Sequence, residues 1–154
     1  MKEHTAGVND FIIQGIGNGS SMLPFIKPDA HLQVRVYATA SYGIGDIVVF
    51  IKNKTFIAHR IIGLTNKGKH RLFIVKGDNN DDTDGLISHK RIIGRVEEIH
   101  RNGQVIRLLS WKHKVLRYPF VLYSRARPNA TVQRFIWRLW KIDFLQRLYQ
   151  KVVE

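Results

Sequence analysis

The chain has 154 residues, enough for one domain with its own core, and 44% of them are hydrophobic. It contains no cysteine, which excludes a disulfide framework and a thiolate nucleophile. The formal net charge of +13 favours an anionic partner such as lipid headgroups, nucleic acid or an acidic protein.

The first residues of the chain contain one short apolar stretch, FIIQGI at 11–16, which is too short for the core of a signal peptide. The apolar runs further along, such as DIVVF at 46–50, are far below the roughly 20 residues that a membrane-spanning helix needs. We therefore expect a cytoplasmic or peripheral membrane protein.

Residues 32–109 contain short apolar or alternating runs separated by turn residues, a pattern typical of β-strands. The runs are LQVRVY, DIVVFI, TFIAHRIIGL, RLFIVK, RIIGRVEEI and QVIRLL. Asn102 and Gly103, between the last two runs, predict a tight hairpin. Short strands at this spacing predict a mainly β fold, a small coiled sheet or barrel.

The C-terminal part of the chain, residues 111–154, is basic and has a helical pattern. It holds ten lysines and arginines against two acids, which supplies +8 of the net charge. The spacing of its apolar residues predicts an amphipathic helix over 131–153 that either packs on the sheet or lies in a membrane interface. Residues 111–127 fit a helix broken at Pro119. We predict a β catalytic domain at 1–110 and a helical extension at 111–154.

Five short motifs follow one another along the chain. They are GSSMLP (19–24), GDIVVF (45–50), FIAHRIIG (56–63), VKGDNNDDTDG (75–85) and RIIGRVEEI (91–99). Together they resemble the type I signal peptidases, in the branch shared by the endoplasmic reticulum enzyme and its spore-former and archaeal relatives. That family shares its β-fold with the self-cleaving repressors. The resemblance covers residues 17–99 and implies a serine endopeptidase that cleaves a leader or signal peptide from a preprotein without a cofactor.

The resemblance also assigns chemical roles to individual residues. It implies that Ser21, the serine directly before the methionine, is the nucleophile, and that His59 is the general base that takes the hydroxyl proton. Asp84 matches the acid that orients the histidine, and Asp78 is expected to hold the loop near the site; either carboxylate could orient the imidazole. Gly19 occupies a position where many bacterial members have an oxyanion serine, so the backbone N–H of Ser21 is the expected donor and a second one is unassigned.

Each of these residues also has an ordinary structural interpretation. A serine between glycines and a proline is usually part of a turn, and a histidine on an apolar strand is usually a core residue. The loop at 77–85, rich in aspartate, resembles a solvated turn or a weak calcium site, but it lacks the spacing of a calcium loop, so we predict no metal.

Two other functions compete with a peptidase. One is a non-catalytic basic module that binds anionic membrane, with residues 131–153 as the contact, or nucleic acid. Nucleic acid is disfavoured because the sequence has no known nucleic-acid motif and no array of aromatic residues for stacking bases. The other is a self-cleaving repressor domain, which is disfavoured because those domains have lysine where this chain has His59.

Overall fold

The computed structural model of the chain describes residues 11–37, 41–109 and 111–126, without the side chains of 111–116. The helix predicted over 131–153 and its membrane contact lie outside these residues. The described elements are β1 (Phe11–Gly17), β2 (Ala30–Val36), β3 (Ile47–Lys52), β4 (Thr55–Lys67), β5 (His70–Lys76), β6 (Leu86–Ser88), β7 (Ile92–Arg101), β8 (Gln104–Arg107) and α1 (Trp111–Ala126).

The eight strands form one antiparallel sheet in the order β1-β2-β7-β3-β4-β5-β6, and β8 pairs with the C-terminal half of β7. The prediction of a mainly β fold with a helix after it is confirmed. Of the two forms predicted, the structure has the sheet and not the barrel. In the part of the chain that the structure describes, the end strands β1 and β6 do not pair with each other.

The core lies on both faces of β3, which explains why this strand has an unbroken apolar sequence. Ile47 and Val49 belong to one buried cluster, together with Met22 of the segment that follows β1. Val48 and Phe50 point to the opposite face and belong to a second cluster. Because side chains alternate along a strand, β3 anchors both halves of the core.

The hairpin between β7 and β8 forms where the sequence predicts it. Asn102 and Gly103 both have positive φ angles, 49° and 73°, and lie between the paired residues Arg101 and Gln104. Two central residues with positive φ are typical of the type I′ turn, whose twist matches that of antiparallel strands.

Two elements differ from the sequence prediction. The strand β1 lies outside the predicted β region, which began at residue 32. The helix α1 continues through Pro119, where a break was predicted. Proline removes one helical hydrogen bond, and here its ring lies on the exposed side of α1, while Val121 and Ser124 on the other side are buried.

The buried side of α1 packs against the sheet and against the segment between β1 and β2. The rings of Phe25 and Phe120 lie 4.2 Å apart, measured between centroids. Lys76 of β5 donates a hydrogen bond to the carbonyl of Ser124, and Arg125 donates to the carbonyl of Ile62 in β4. Among the residues described, no helix is both long and apolar enough to cross a membrane.

Candidate active site

Ser21 lies in the turn-rich segment between β1 and β2. Two local hydrogen bonds shape this segment, from the Leu23 N–H to the Ser20 carbonyl (3.1 Å) and from the Ile26 N–H to the Met22 carbonyl (2.9 Å). The side chains of Met22, Leu23 and Ile26 are buried, whereas Ser21 is partly exposed. The apolar residues therefore fix the segment in the core and leave the Ser21 hydroxyl accessible.

The turn that follows β5 holds the backbone of Ser21 in place. The N–H of Asn79 donates to the Ser21 carbonyl at 2.7 Å, and the Asn79 side-chain amide donates to the Ser20 carbonyl at 3.2 Å. A Cβ atom on Gly77 would lie only 2.8 Å from the Ser21 carbonyl oxygen. The close approach of the two turns therefore requires glycine at position 77.

His59 lies on β4 with 4% of its surface exposed. Its Nε2 atom is 2.8 Å from the Ser21 Oγ, although 38 positions separate the two residues along the chain. Its Nδ1 atom is 2.5 Å from the Oδ2 of Asp84. The structure thus brings the three residues together in the order serine, imidazole, carboxylate.

The ionisation of Asp84 determines which nitrogen of His59 carries the proton. Burial raises the pKa of the Asp84 carboxyl, but the hydrogen bonds from His59 and Lys52 outweigh burial and leave that pKa below its ordinary value. An ionised carboxylate only accepts hydrogen bonds, so Nδ1 donates to Asp84. Nε2 is then free to accept the proton of the Ser21 hydroxyl, which is the arrangement that activates a serine.

Lys52 is a neighbour of the site that sequence reasoning did not identify. It ends β3, and its Nζ lies 2.8 Å from the Oδ1 of Asp84. The backbone N–H of Asp84 also donates to the carbonyl of Val75 at 2.8 Å. Nothing local in the sequence marks Lys52, because a lysine that follows an apolar strand is usually solvated and its partner lies 32 positions away.

Asp78 was the other acid that could orient the imidazole, and the structure places it against Arg60 instead. The Nη2 and Nε atoms of Arg60 lie 2.7 and 2.9 Å from the two oxygens of Asp78, and both side chains are buried. Arg60 also donates to the carbonyl of Gly45 at 3.1 Å. One buried guanidinium therefore joins three of the motifs: the glycine before β3, the strand β4 and the turn after β5.

Gly19 borders the hydroxyl and the backbone N–H of Ser21. A Cβ atom on Gly19 would lie 3.9 Å from the Ser21 Oγ and 4.0 Å from the Ser21 nitrogen, both ordinary contact distances. The absence of a side chain at Gly19 leaves space beside the hydroxyl and the N–H of Ser21. The roles of Gly19 and of the Ser21 N–H in holding an oxyanion stay predictions.

A groove of about 900 Å³ leads to the three residues and runs between β1 and the first half of β4. In the described residues, β1 pairs only with β2, and β4 pairs with β5 only from Arg60 onward. Two strand edges along the groove therefore keep free backbone donors and acceptors. The lining is largely apolar and includes Ile13, Ile16, Met22, Val49, Ala58 and Ile93.

The acidic residues of the described ranges do not assemble into a metal site with histidine. In the loop at 77–85, Asp78 and Asp84 have arginine, histidine and lysine as partners. The absence of a metal from the chemistry remains a prediction.

Comparison with known proteins gives one partial similarity. No family model matches the chain. A curated protein, Signal peptidase I W of Bacillus subtilis (strain 168), is 44% identical to it over 41 residues. The matched segment is 26% of this chain and 22% of that protein, so the chain spans about a fifth of the relative. The similarity points to a relationship with signal peptidases over that segment.

Proposed function

We propose that the protein is a serine endopeptidase of the signal peptidase type, with Ser21 as nucleophile, His59 as general base and Asp84 as the residue that orients the base. The observation that carries this proposal is the pair of hydrogen bonds at the imidazole, 2.8 Å to the serine hydroxyl and 2.5 Å to the carboxylate. A serine hydroxyl becomes a competent nucleophile when a base within hydrogen-bond reach takes its proton.

The reaction follows from this geometry in two halves. His59 takes the hydroxyl proton as Ser21 attacks the carbonyl carbon of the scissile peptide bond, and Asp84 stabilises the imidazolium that forms. The negative charge on the carbonyl oxygen is held by the Ser21 N–H, next to Gly19. His59 then gives its proton to the leaving amine, which produces an acyl-enzyme. Water hydrolyses the acyl-enzyme with His59 again as base.

The substrate that fits the groove is an extended peptide. A peptide lying along the unpaired edge of β1 or β4 would add to the sheet as a further strand through main-chain hydrogen bonds. The apolar lining would take small or apolar side chains near the cut. This is the form of a leader or signal segment, and the name of the bacterial relative supports a preprotein as substrate.

The test compares wild type with Ser21→Ala on an internally quenched peptide that has alanine on both sides of the expected cut. We expect cleavage by the wild type and loss of nearly all activity in Ser21→Ala. Ser20→Ala is the matched control, because Ser20 neighbours the site and contacts it through its backbone carbonyl, and it should keep most activity. A serine-directed acylating probe should label wild type and Ser20→Ala but not Ser21→Ala.

Two results would contradict the proposal: full cleavage by Ser21→Ala, or no cleavage and no labelling of the folded wild type. The second result would favour the competing function, a non-catalytic basic module. The net charge of +13 would then favour binding to an anionic partner. Sedimentation with vesicles that contain anionic lipid and gel retardation of RNA and DNA would identify that partner.

A further inference from the structure

We propose that Lys52 is a positioning residue of the active site, which fixes the Asp84 carboxylate and, through it, the orientation of the His59 imidazole. This inference rests on the proposed function, because it assigns Lys52 a part in the same reaction. Lys52 would not touch the substrate carbonyl or the reacting oxygen, so it is not a catalytic residue in its own right.

The first support for the proposal is the division of the two carboxylate oxygens. Lys52 Nζ lies 2.8 Å from Oδ1, and His59 Nδ1 lies 2.5 Å from Oδ2. Rotation of the carboxylate would break both bonds together. Since the Asp84 N–H is also bonded to the Val75 carbonyl, the side chain and the backbone of Asp84 are anchored independently. Lys52 therefore holds the acceptor at the angle that the imidazole needs.

The second support is the place of Lys52 beside a buried pair. The side chains of His59 and Asp84 are only 5% and 6% exposed, whereas that of Lys52 is 44% exposed. Lys52 therefore holds the carboxylate from the solvent side, at the oxygen that does not bind His59.

The size of the effect is limited by solvent. The side chain of Lys52 is 44% exposed, so its ion pair with Asp84 is screened more than a buried pair would be. We therefore expect the loss of Lys52 to have a moderate effect, about two- to fivefold, on properties that depend on the position of the imidazole.

The experiment follows the Nδ1 proton of His59 by NMR at one pH, in protein carrying Ser21→Ala so that no turnover intervenes. Lys52→Met should speed the exchange of that proton with water by about two- to fivefold, because the carboxylate that accepts it is held less firmly, and Lys52→Arg should restore the slow exchange. Lys54→Met is the matched control, because Lys54 lies in the adjoining hairpin turn with an exposed side chain, and it should leave the exchange rate unchanged. With Ser21 restored, Lys52→Met should lower kcat by about two- to fivefold with little change in KM, and Lys52→Arg should recover most of the loss.

An unchanged or slower exchange in folded Lys52→Met would overturn the proposal, as would an equal change in Lys54→Met. Faster exchange in Lys52→Met, together with a wild type that cleaves no peptide, would mean that the proposed function is wrong although Lys52 positions the ring. Cleavage by the wild type with no change of the exchange rate in Lys52→Met would leave the proposed function standing and remove Lys52 from it.

Discussion

The imidazole of His59 is held by Phe50 and Asp84, and this restraint makes its hydrogen bond to Ser21 useful for chemistry. The ring lies 6.3 Å from that of Phe50 in a T-shaped arrangement, and Asp84 binds its Nδ1. With 4% of its surface exposed, the ring cannot turn without displacing buried neighbours. Ser21, by contrast, is partly exposed to the groove. The site therefore combines a fixed base with an accessible hydroxyl.

Replacing the orienting carboxylate tests the order of the three residues. We expect Asp84→Asn to lower kcat by about 10²- to 10⁴-fold, because an amide can donate to Nδ1 and favour the wrong tautomer of His59. We expect KM to change little, since Asp84 and Ser21 bind opposite nitrogens of the imidazole. Steady-state kinetics on the quenched peptide measure both constants. An equal loss in Asp82→Asn, on the exposed part of the same loop, would show that the loop matters and not the carboxylate.

The lowered pKa of Asp84 gives a prediction for pH. Because the folded-state pKa lies below the ordinary value of 3.8, ionised Asp84 stabilises the fold above about pH 4, and that stabilisation is lost as the pH falls through the folded-state value. Asp84→Asn should lack this pH-dependent part of the stability. Urea denaturation should therefore show a wild type that is more stable than Asp84→Asn above about pH 4 and a difference that shrinks as the pH falls below that value.

At the scale of elements, the buried pair of Arg60 and Asp78 connects the parts that carry the site. Replacing Arg60 leaves the buried carboxylate of Asp78 without its partner. Arg60→Met should therefore lower the free energy of unfolding by about 3–5 kcal/mol. Arg107→Met is the control, because Arg107 is 74% exposed in its pair with Glu98 and its loss should cost less than about 1 kcal/mol. Urea denaturation measures both, and equal losses in the two variants would contradict the prediction.

The contact between the turn after β5 and the turn that carries Ser21 can be tested through Gly77. A methyl group at this position would meet the Ser21 carbonyl oxygen at 2.8 Å, so the two turns must separate in Gly77→Ala. We expect kcat to fall at least tenfold, because small displacements of a nucleophile are costly to catalysis. Gly43→Ala is the matched control, since its nearest neighbour would be a carboxylate oxygen of Asp46 at 4.0 Å. Equal kinetics in the two variants would remove the turn contact from the mechanism.

The elements differ in how well their sequences predict them, for physical reasons. β3 and the β7–β8 hairpin could be predicted because burial on both faces and an Asn-Gly turn leave strong local signals. β1 could not, because its side chains are exposed on both faces and show no alternation. The continuity of α1 through Pro119 depends on contacts with Phe25 and β4, which no local pattern contains.

The residues of the site also differ in whether the sequence predicts them. Ser21, His59 and Asp84 could be selected because they stand in motifs whose order resembles a known family. His59 lies 38 positions after Ser21 and 25 positions before Asp84, and the folded sheet brings the three side chains together. Lys52 could not be selected, since its partner is defined only by the path of the loop after β5. The choice between Asp78 and Asp84 also required the structure, because alternate side chains of β4 point to opposite faces and direct Arg60 to one acid and His59 to the other.

At the scale of the whole molecule, α1 connects the far end of the described chain to the site. Phe120 packs on Phe25, four positions from Ser21, and the guanidinium of Arg60 lies over both rings, 5.3 and 5.6 Å from their centroids. The carbonyl of Ser124 accepts the hydrogen bond of the buried Lys76. Although the boundary predicted at residue 110 remains untested, these contacts lead us to expect that the catalytic unit extends through α1.

Two truncated chains test whether the catalytic unit ends at residue 110 or extends through α1. The chain 1–126 keeps α1, whereas 1–110 loses it and exposes Phe25 together with the buried ion pair. We expect 1–110 to be less stable than 1–126 by about 3 kcal/mol or more, from lost hydrogen bonds and an aromatic pair, and its Tm to be about 10 °C lower. Its kcat should fall with its stability, because Arg60 and the turn bearing Ser21 lose a common support. Thermal melts and cleavage of the quenched peptide measure both effects, with 1–126 as the control for shortening the chain. If 1–110 melted and cleaved like 1–126, the catalytic unit would end before α1, and the contacts of Phe120 and Ser124 would carry no part of its stability.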